Sequence, residues 1–586
     1  MVKTVGIGNQ DFEIIRQNGY FYIAKTNFIR EWWESGDSVT LVTRPRRFGK
    51  TLNMSMLEKF FSVRYAGRSD LFEGLSIWQE EKYRQLQGTY PVLSISFADV
   101  KEDSFIQARK KICRIIKALY QQFSFLLKAD SMSEDEKREF RQVSVDMEDN
   151  EASYTLKALT GYLSCYYGKK VLIFLDEYDT PMQEAYVHGY WKEMVQFIKG
   201  LFNSTFKTNP CLERAILTGI TRVSKESIFS DLNNLEVVTT TSNKYTDCFG
   251  FTEKEVFRAL DEFELSGQKQ QVKDWYDGFS FGKKGDIYNP WSIINFLDKG
   301  RVGAYWANTS SNSLVGKLVR EGSVDVKRTF EELLNGGTLN AEIDEQIIYD
   351  QLFSKKDAIW SLLLASGYLK VVNASFVEKA GCTRYDLMLT NKEVRIMFKN
   401  LIRDWFSNSD DYNDFIKALL LDDLKAMNAF MNRVTVEMFS SFDSGTKPSE
   451  RAPERFYHGF VLGLMVELTD KYVITSNRES EFGRYDVMLE PRAVSEMHGS
   501  AVTVSSRTKE DAVANNGIKG DAIIIEFKVQ DEEEKELSDT VQEALRQIEE
   551  KNYQANLIAR GIPRERIRKY GFAFCGKKVL IGKASV

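Results

Sequence analysis

Short runs of consecutive apolar residues, separated by stretches with helical spacing, dominate the first 240 residues. VTLVT (39–43) is a β-branched run, PVLSISFADV (91–100) a second, and KKVLIFLDEYD (169–179) a third with almost no alternation. RAILTGIT (214–221) repeats the pattern. Continuously apolar strands are what a parallel sheet covered on both faces requires. Between the first two, LNMSMLEKFFSVRY places Leu52, Met56, Leu57, Phe60 and Phe61 at helical spacing. Strands alternating with helices predict an α/β domain over residues 1–245. Residues 246–410 read as mainly helical, with connectors WYDGFSFG (275–282) and YWANTSSN (305–312) and with SLLLASGYLKVV (361–372) as a helix ended by Gly367 before a strand. Residues 411–586 predict a last α/β domain. It has a helix over 454–469, strands at 471–475, 484–489 and 522–529, a helix over 539–552 and a final hairpin over 571–583. The polar stretch 491–520 reads as an inserted loop.

Composition narrows the chemistry. The chain has 586 residues, too many for one core. Its 43% hydrophobic and 28% charged content excludes a disordered or collagen-like chain. There are only three histidines, His188, His458 and His498, so histidine-rich metal sites are not expected. The six cysteines are too dispersed for a CxxC zinc half-site, and Cys113, Cys165 and Cys575 lie in apolar surroundings that predict buried, reduced thiols. No run approaches eighteen apolar residues and the N-terminus lacks an apolar signal core, so a soluble cytoplasmic protein without a membrane role is expected. Carboxylates, lysine and metal ions remain as the carriers of any chemistry.

The loop RPRRFGKT (44–51), after one strand and before a helix, has the context of a phosphate-binding loop. Amides at the helix N-terminus face a β-phosphate, Lys50 reaches the β/γ oxygens, Thr51 offers a hydroxyl to Mg²⁺, and Gly49 permits close approach. Arg44 stands where the general motif has its first glycine. Alone, GKT fits any helix that starts on a basic loop. LIFLDE (172–177) adds a buried strand ending in Asp176, placed to hold Mg²⁺, and Glu177, placed to polarise water. In ILTGITRVS (216–224), Thr218 or Thr221 is a candidate γ-phosphate sensor and Arg222 a candidate arginine finger, though strand-end hydroxyls and a surface arginine explain them equally.

Together TRPRRFGKT, LIFLDEYDTP and LTGITRVSKESIFSDLNN resemble the AAA-ATPase-like family of bacterial proteins in which a P-loop domain precedes a nuclease-like domain. SNKYTDCFGF (242–251), WYDGFSFG and IYNPWSI (287–293) extend the likeness. In that family the loop commonly begins with an arginine-proline segment, as here. The resemblance implies an ATPase fold with ATP as cofactor, bound through Arg46, Arg47, Phe48, Gly49, Lys50, Thr51, Leu52, Asp176 and Arg222.

A second constellation lies in GRYDVMLEP (483–491) and IIIEFKV (523–529). Glu526 and Lys528 are two apart on one strand and so share a face, with Asp486 on another strand. Two carboxylates and a lysine suit a divalent-metal phosphodiesterase using Mg²⁺ or Mn²⁺. Glu454 offers a third acidic ligand, and His458 lies one turn later. An isolated E-x-K is usually only a solvent-facing ion pair. The order helix–Glu, strand–Asp, strand–E-x-K, helix–Gln is similar to the core of the PD-(D/E)XK nuclease superfamily. That resemblance matches Asp486, Glu526 and Lys528 to the defining motif, Glu454 to the helix carboxylate, and Gln547 and Tyr553 of LRQIEEKNY (545–553) to the accompanying helix residues. The polar segment 491–520 departs from the tight hairpin of that superfamily.

These readings imply nucleotide-gated, metal-dependent cleavage of DNA or RNA, with a role in defence against foreign nucleic acid and homo-oligomer formation as further expectations. A non-cleaving nucleotide switch, whose nuclease-like domain only binds nucleic acid or protein, is the alternative. An ATPase acting on a protein client is a third reading. The formal charge of −5 hides strong local charge. Residues 531–543 hold seven acids and one lysine, and residues 561–583 hold seven basic residues and one glutamate. Phosphate-attracting charge is therefore expected at the basic C-terminal end.

Overall fold

A computed structural model describes the chain except residues 1–2, 222–227, 230–231, 307–323, 335, 345–357, 379–380, 407–411, 440–460, 462–464, 466–467, 469–470, 481–482, 493–519, 532–533, 576–577 and 585–586. It divides into two compact units. The first comprises residues 1–321 and 331–397, the second residues 322–330 and 398–586.

In the first unit the β-branched runs become β1 (Val39–Thr43), β2 (Val92–Ser96), β3 (Val171–Asp176), β4 (Leu212–Gly219) and β5 (Leu235–Val238). They form one parallel sheet in the order β2-β3-β4-β1-β5. Every residue of β1 and β3 is buried, which is why neither strand alternates. The order puts β4 between β1 and β3, so the ends of three motif-bearing strands lie side by side. The intervening helices include α1 (Lys50–Phe61), α2 (Phe105–Gln122), α3 (Asp149–Tyr167) and α4 (Thr180–His188).

The middle stretch contains helices and also two three-stranded sheets. One is β6 (Phe251–Thr252), β7 (Phe279–Phe281) and β8 (Lys284–Tyr288); the other is β9 (Leu339–Glu342), β10 (Leu369–Val377) and β11 (Cys382–Leu389). These strands are short or half-exposed, so they lack the continuous apolar signature of the main sheet. Helix α5 (Ala358–Ala365) is followed by Gly367 at φ 84°, as the sequence predicts, before β10. Helix α6 (Pro290–Lys299) starts with proline behind an Asn289 cap.

The second unit is built on β12 (Tyr472–Ser480), β13 (Gly483–Pro491), β14 (Ala522–Val529), β15 (Ile567–Cys575) and β16 (Lys578–Lys583), paired in that order. Only β14 and β15 run parallel, joined through α9 (Leu537–Glu550). On β14, Ile523, Ile525 and Phe527 pack with Phe415, Leu419, Met427 and Met431 of helices α7 (Tyr412–Leu421) and α8 (Leu424–Phe439). Ile524 points the other way, into a cluster with Val541, Leu545 and Ile548 of α9. Period-two alternation then carries Glu526 and Lys528 to the α9 side. The acidic run serves that helix: Glu536 and Asp539 form its capping box, and Thr540 donates to Glu534 at 2.6 Å.

One edge of this sheet is closed by side chains. Asn428 donates to Ile581 O (2.9 Å) and accepts from Ile581 N (2.8 Å). Asn432 does the same with Val579 (2.7 and 3.0 Å). One helical turn apart on α8, the two amides occupy alternate residues of β16, as a further strand would. Replacing both, Asn428→Ala with Asn432→Ala, removes four hydrogen bonds and is expected to lower stability by about 2–4 kcal/mol, read as a shifted midpoint in urea unfolding.

Cys113 is buried, as expected, but Cys165 and Cys575 are exposed, because they stand at a helix end and a strand end beyond the packed layers. No helix among the described residues is long and apolar enough to cross a membrane.

Candidate active sites

The phosphate-type loop joins β1 to α1. Gly49 caps α1 with φ 81°, a backbone that suits glycine, and Arg47 adopts φ 65° despite its side chain. Lys50 is buried, with its ammonium donating to the carbonyls of Arg44 (2.9 Å) and Pro45 (3.0 Å). Burial pulls its pKa down, against the pull of Glu177, Asp176 and Asp179. Thr51 Oγ1 donates to Asp176 Oδ2 at 2.6 Å, and Thr218 donates to the other oxygen of Asp176. Thr51, Asp176 and Thr218 thus come from three different motifs and meet at one carboxylate. Burial raises the Asp176 pKa, and the two hydroxyl bonds oppose that rise.

Glu177 sits at the end of β3 with φ 51°, a non-glycine residue in the left-handed region. Thr180 donates to it at 3.3 Å. Next to it, Asp179 is almost fully buried and accepts from Ile220 N (3.0 Å), Thr221 N (2.9 Å) and Thr221 Oγ1 (3.0 Å). Tyr178 donates to Thr221 O at 2.7 Å. These bonds tie the loop after β4 to the end of β3. They also assign the two threonines: Thr218 touches Asp176, whereas Thr221 belongs to the Asp179 clamp. A Cβ at Gly219 would lie 2.6 Å from the Tyr178 ring and 2.7 Å from Asp179, which explains glycine at that point of ILTG. Arg222 lies outside the described residues.

Three basic residues of the loop differ in role. Arg44 is fully buried, donating to the carbonyls of Thr43 (2.9 Å) and Thr239 (2.7 Å) and stacking 4.4 Å from the Phe281 ring centroid. Burial draws its pKa down to about 10, so it stays charged at neutral pH while its charge is spent inside the fold. Arg46 reaches Gln183 at 3.5 Å, and Arg47 is exposed with its guanidinium 4.4 Å from the Trp291 ring. Phe48 is buried against Phe279 and Phe281, so only its backbone is offered to a ligand; Leu52 is half-buried.

In the second unit, Val487 pairs with Ile525, which carries Asp486 and Glu526 to the next opposed positions on β13 and β14. Asp486 Oδ2 accepts from Phe527 N at 2.9 Å. Glu526 is buried and accepts from the Gln547 amide, which also donates to Tyr553 OH at 3.3 Å. Burial raises the Tyr553 pKa, and the charges of Glu526 and Asp486 add to that rise, so the phenol stays protonated at neutral pH. Lys528 Nζ stands 3.8 Å from Glu543 Oε1. Glu543 and Gln547 are four apart on α9 and share a face. The helix therefore meets Lys528 with one residue and Glu526 with the other. Sequence reasoning missed Glu543; its spacing from Gln547 was the available signal. Two hard oxygen donors on adjacent strands fit Mg²⁺ or Mn²⁺. Glu454 and His458 lie outside the described residues, as does most of the 491–520 insertion.

The basic C-terminal segment is less available than its composition suggests. Arg566 and Arg568 both engage Asp521 (3.4 and 2.5 Å), Lys569 engages Glu549 (2.5 Å), and Lys583 pairs with Asp422. The strand geometry interleaves these cations with acids from elsewhere in the domain, so much of the local charge is balanced.

Residues 6–229 match the family described as predicted AAA-ATPase, a span that includes Lys50, Thr51, Asp176, Glu177 and Thr218. Residues 510–584 match the PD-(D/E)XK nuclease superfamily, a span that includes Glu526, Lys528, Gln547 and Tyr553 and begins after Asp486. A protein of Azotobacter chroococcum mcd 1, described as an uncharacterized protein in the vnfD 5' region, is 26% identical over 401 residues, or 67% of this chain and 68% of that one. The chain is thus similar to the AAA-ATPase-like family over residues 6–229 and to the PD-(D/E)XK nuclease superfamily over residues 510–584.

Proposed function

We propose that the chain binds and hydrolyses ATP in its first unit and cleaves nucleic-acid phosphodiesters in its second. The observation that carries the reading is the grouping of Asp486, Glu526, Lys528, Gln547 and Tyr553 around two opposed strand positions, in a chain that also brings Lys50, Thr51, Asp176 and Thr218 together. At the first site, Lys50 exchanges the carbonyls of Arg44 and Pro45 for β/γ-phosphate oxygens. The amides of Gly49, Lys50 and Thr51 face the phosphates, and Arg46 and Arg47 flank them. Thr51 and Asp176 would hold Mg²⁺, Thr218 fixes the Asp176 carboxylate, and Glu177 would orient the attacking water.

At the second site, Asp486 and Glu526 hold a divalent cation. When bound, such an ion would supply Lewis acidity toward a water and the scissile phosphate. Lys528 orients the attacking water and balances negative charge on the non-bridging oxygens as the P–O bond to the leaving group breaks. Gln547 fixes the Glu526 carboxylate and is itself held by Tyr553. DNA and RNA are both candidate substrates, and defence against foreign nucleic acid is the biological role this pairing suggests. The deciding experiment incubates single- and double-stranded DNA and RNA with the full chain and Mg²⁺ or Mn²⁺, with and without ATP. Cleavage that requires the metal and changes with ATP is expected. Substrates left intact in every condition would favour the non-cleaving switch.

A further inference from the structure

The connectors IYNPWSI and YWANTSSN carry no chemistry in the reading above, yet each sends a side chain to the phosphate loop. Asn289 Nδ2 donates to the carbonyl of Arg46 at 3.3 Å, and Trp306 Nε1 donates to the same carbonyl at 3.1 Å. Both side chains are buried. The Phe48 carbonyl accepts from Gly250 N at 3.3 Å, from the end of SNKYTDCFGF. A trans peptide holds its C=O and the next N–H antiparallel in one plane. Fixing the Arg46 carbonyl therefore fixes the direction of the Arg47 N–H, and fixing the Phe48 carbonyl fixes that of Gly49.

The clamp acts where the backbone needs it. Arg47 holds φ 65°, a conformation that costs a residue with a Cβ and persists only where its surroundings impose it. Arg46 O is the acceptor immediately before that residue, and its two donors come from segments more than 240 positions away in the chain. Asn289 is itself immobilised, because its Oδ1 caps α6 by accepting from Trp291 N (2.9 Å) and Ser292 N (3.3 Å). Trp306 is held by its ring contacts with Phe279 and Tyr368 and by its own amide, which donates to Glu393 at 2.6 Å.

We infer that Asn289 and Trp306 are positioning residues of the nucleotide site, orienting the Arg47 amide toward the phosphates from behind the loop. The inference rests on the nucleotide-binding reading of RPRRFGKT and assigns a purpose to the two connectors. It is tested on the full chain with Asn289→Ser, Trp306→Phe and the double variant, using ATP with Mg²⁺ in titration calorimetry and thermal melts without nucleotide. Serine keeps the cap but is too short to reach Arg46, and phenylalanine keeps the ring but has no N–H donor. Each single variant is expected to weaken ATP binding about five- to tenfold and the double about fiftyfold, with melting temperatures near wild type. A double variant that binds ATP as wild type does overturns the inference alone. Binding losses that track falling melting temperatures across the three variants overturn it in favour of a purely structural role. A wild-type chain that binds no ATP overturns the nucleotide reading and this inference with it.

Discussion

Lys50→Ala is expected to weaken ATP binding by about a hundredfold or more while leaving the unliganded fold intact. The side chain is buried, and its ammonium donates to two carbonyls of its own loop. Burial draws its pKa down despite the nearby carboxylates of Glu177, Asp176 and Asp179, because its direct hydrogen-bond acceptors are neutral carbonyls. Phosphate oxygens would give it charged acceptors at hydrogen-bond distance in place of the two carbonyls. Losing charge-assisted hydrogen bonds of about 3 kcal/mol in total corresponds to roughly two decades of affinity. Calorimetric titration with ATP and Mg²⁺ measures the loss, and a thermal melt without nucleotide should show little change. Wild-type affinity in the variant would remove Lys50 from the site.

The second large effect is expected at Lys528. Its side chain is 27% exposed and its acidic neighbour is 3.8 Å away, so the pair contributes little to stability. Lys528→Ala should thus fold as wild type does. In the cleavage reaction it removes the cationic side chain that β14 brings beside Glu526, a loss of transition-state stabilisation of about a hundred- to a thousandfold in rate. Glu526→Gln is the companion variant. It keeps the shape beside Gln547 and removes a charge, so cleavage should fall and added Mn²⁺ should restore only part of it. Single-turnover cleavage with a labelled oligonucleotide reads both. If Lys528→Ala and wild type cut at the same rate, the activity does not come from this constellation.

The two sites were legible in the sequence to different depths. At the nucleotide site the motif strands were readable because a buried parallel strand must be continuously apolar, and VLIFL ends abruptly in its acids. Adjacency was not readable: only the sheet order, with β4 between β1 and β3, shows that Thr218 rather than Thr221 meets Asp176. Arg44 looks like a phosphate ligand by composition, yet its side chain turns inward to carbonyls and aromatic rings. Direction of a side chain out of a loop is set by tertiary packing, which local sequence does not encode. In the second unit, the alternation within IIIEFKV was enough to put Glu526 and Lys528 on one face. The pairing of the basic tail was not readable, because a count of charges carries no information about partners 20 to 161 residues away.

The two asparagines on α8 bear on assembly as well as on stability. An open sheet ordinarily offers two edges at which another chain can add a strand. Here the β16 side has its peptide groups at Val579 and Ile581 already occupied, so it is closed to such an addition. Among the described strands, β12 forms the other edge of this sheet. A second copy or a peptide is therefore not expected to extend this sheet across Val579 and Ile581, because α8 already stands in the place of the incoming strand.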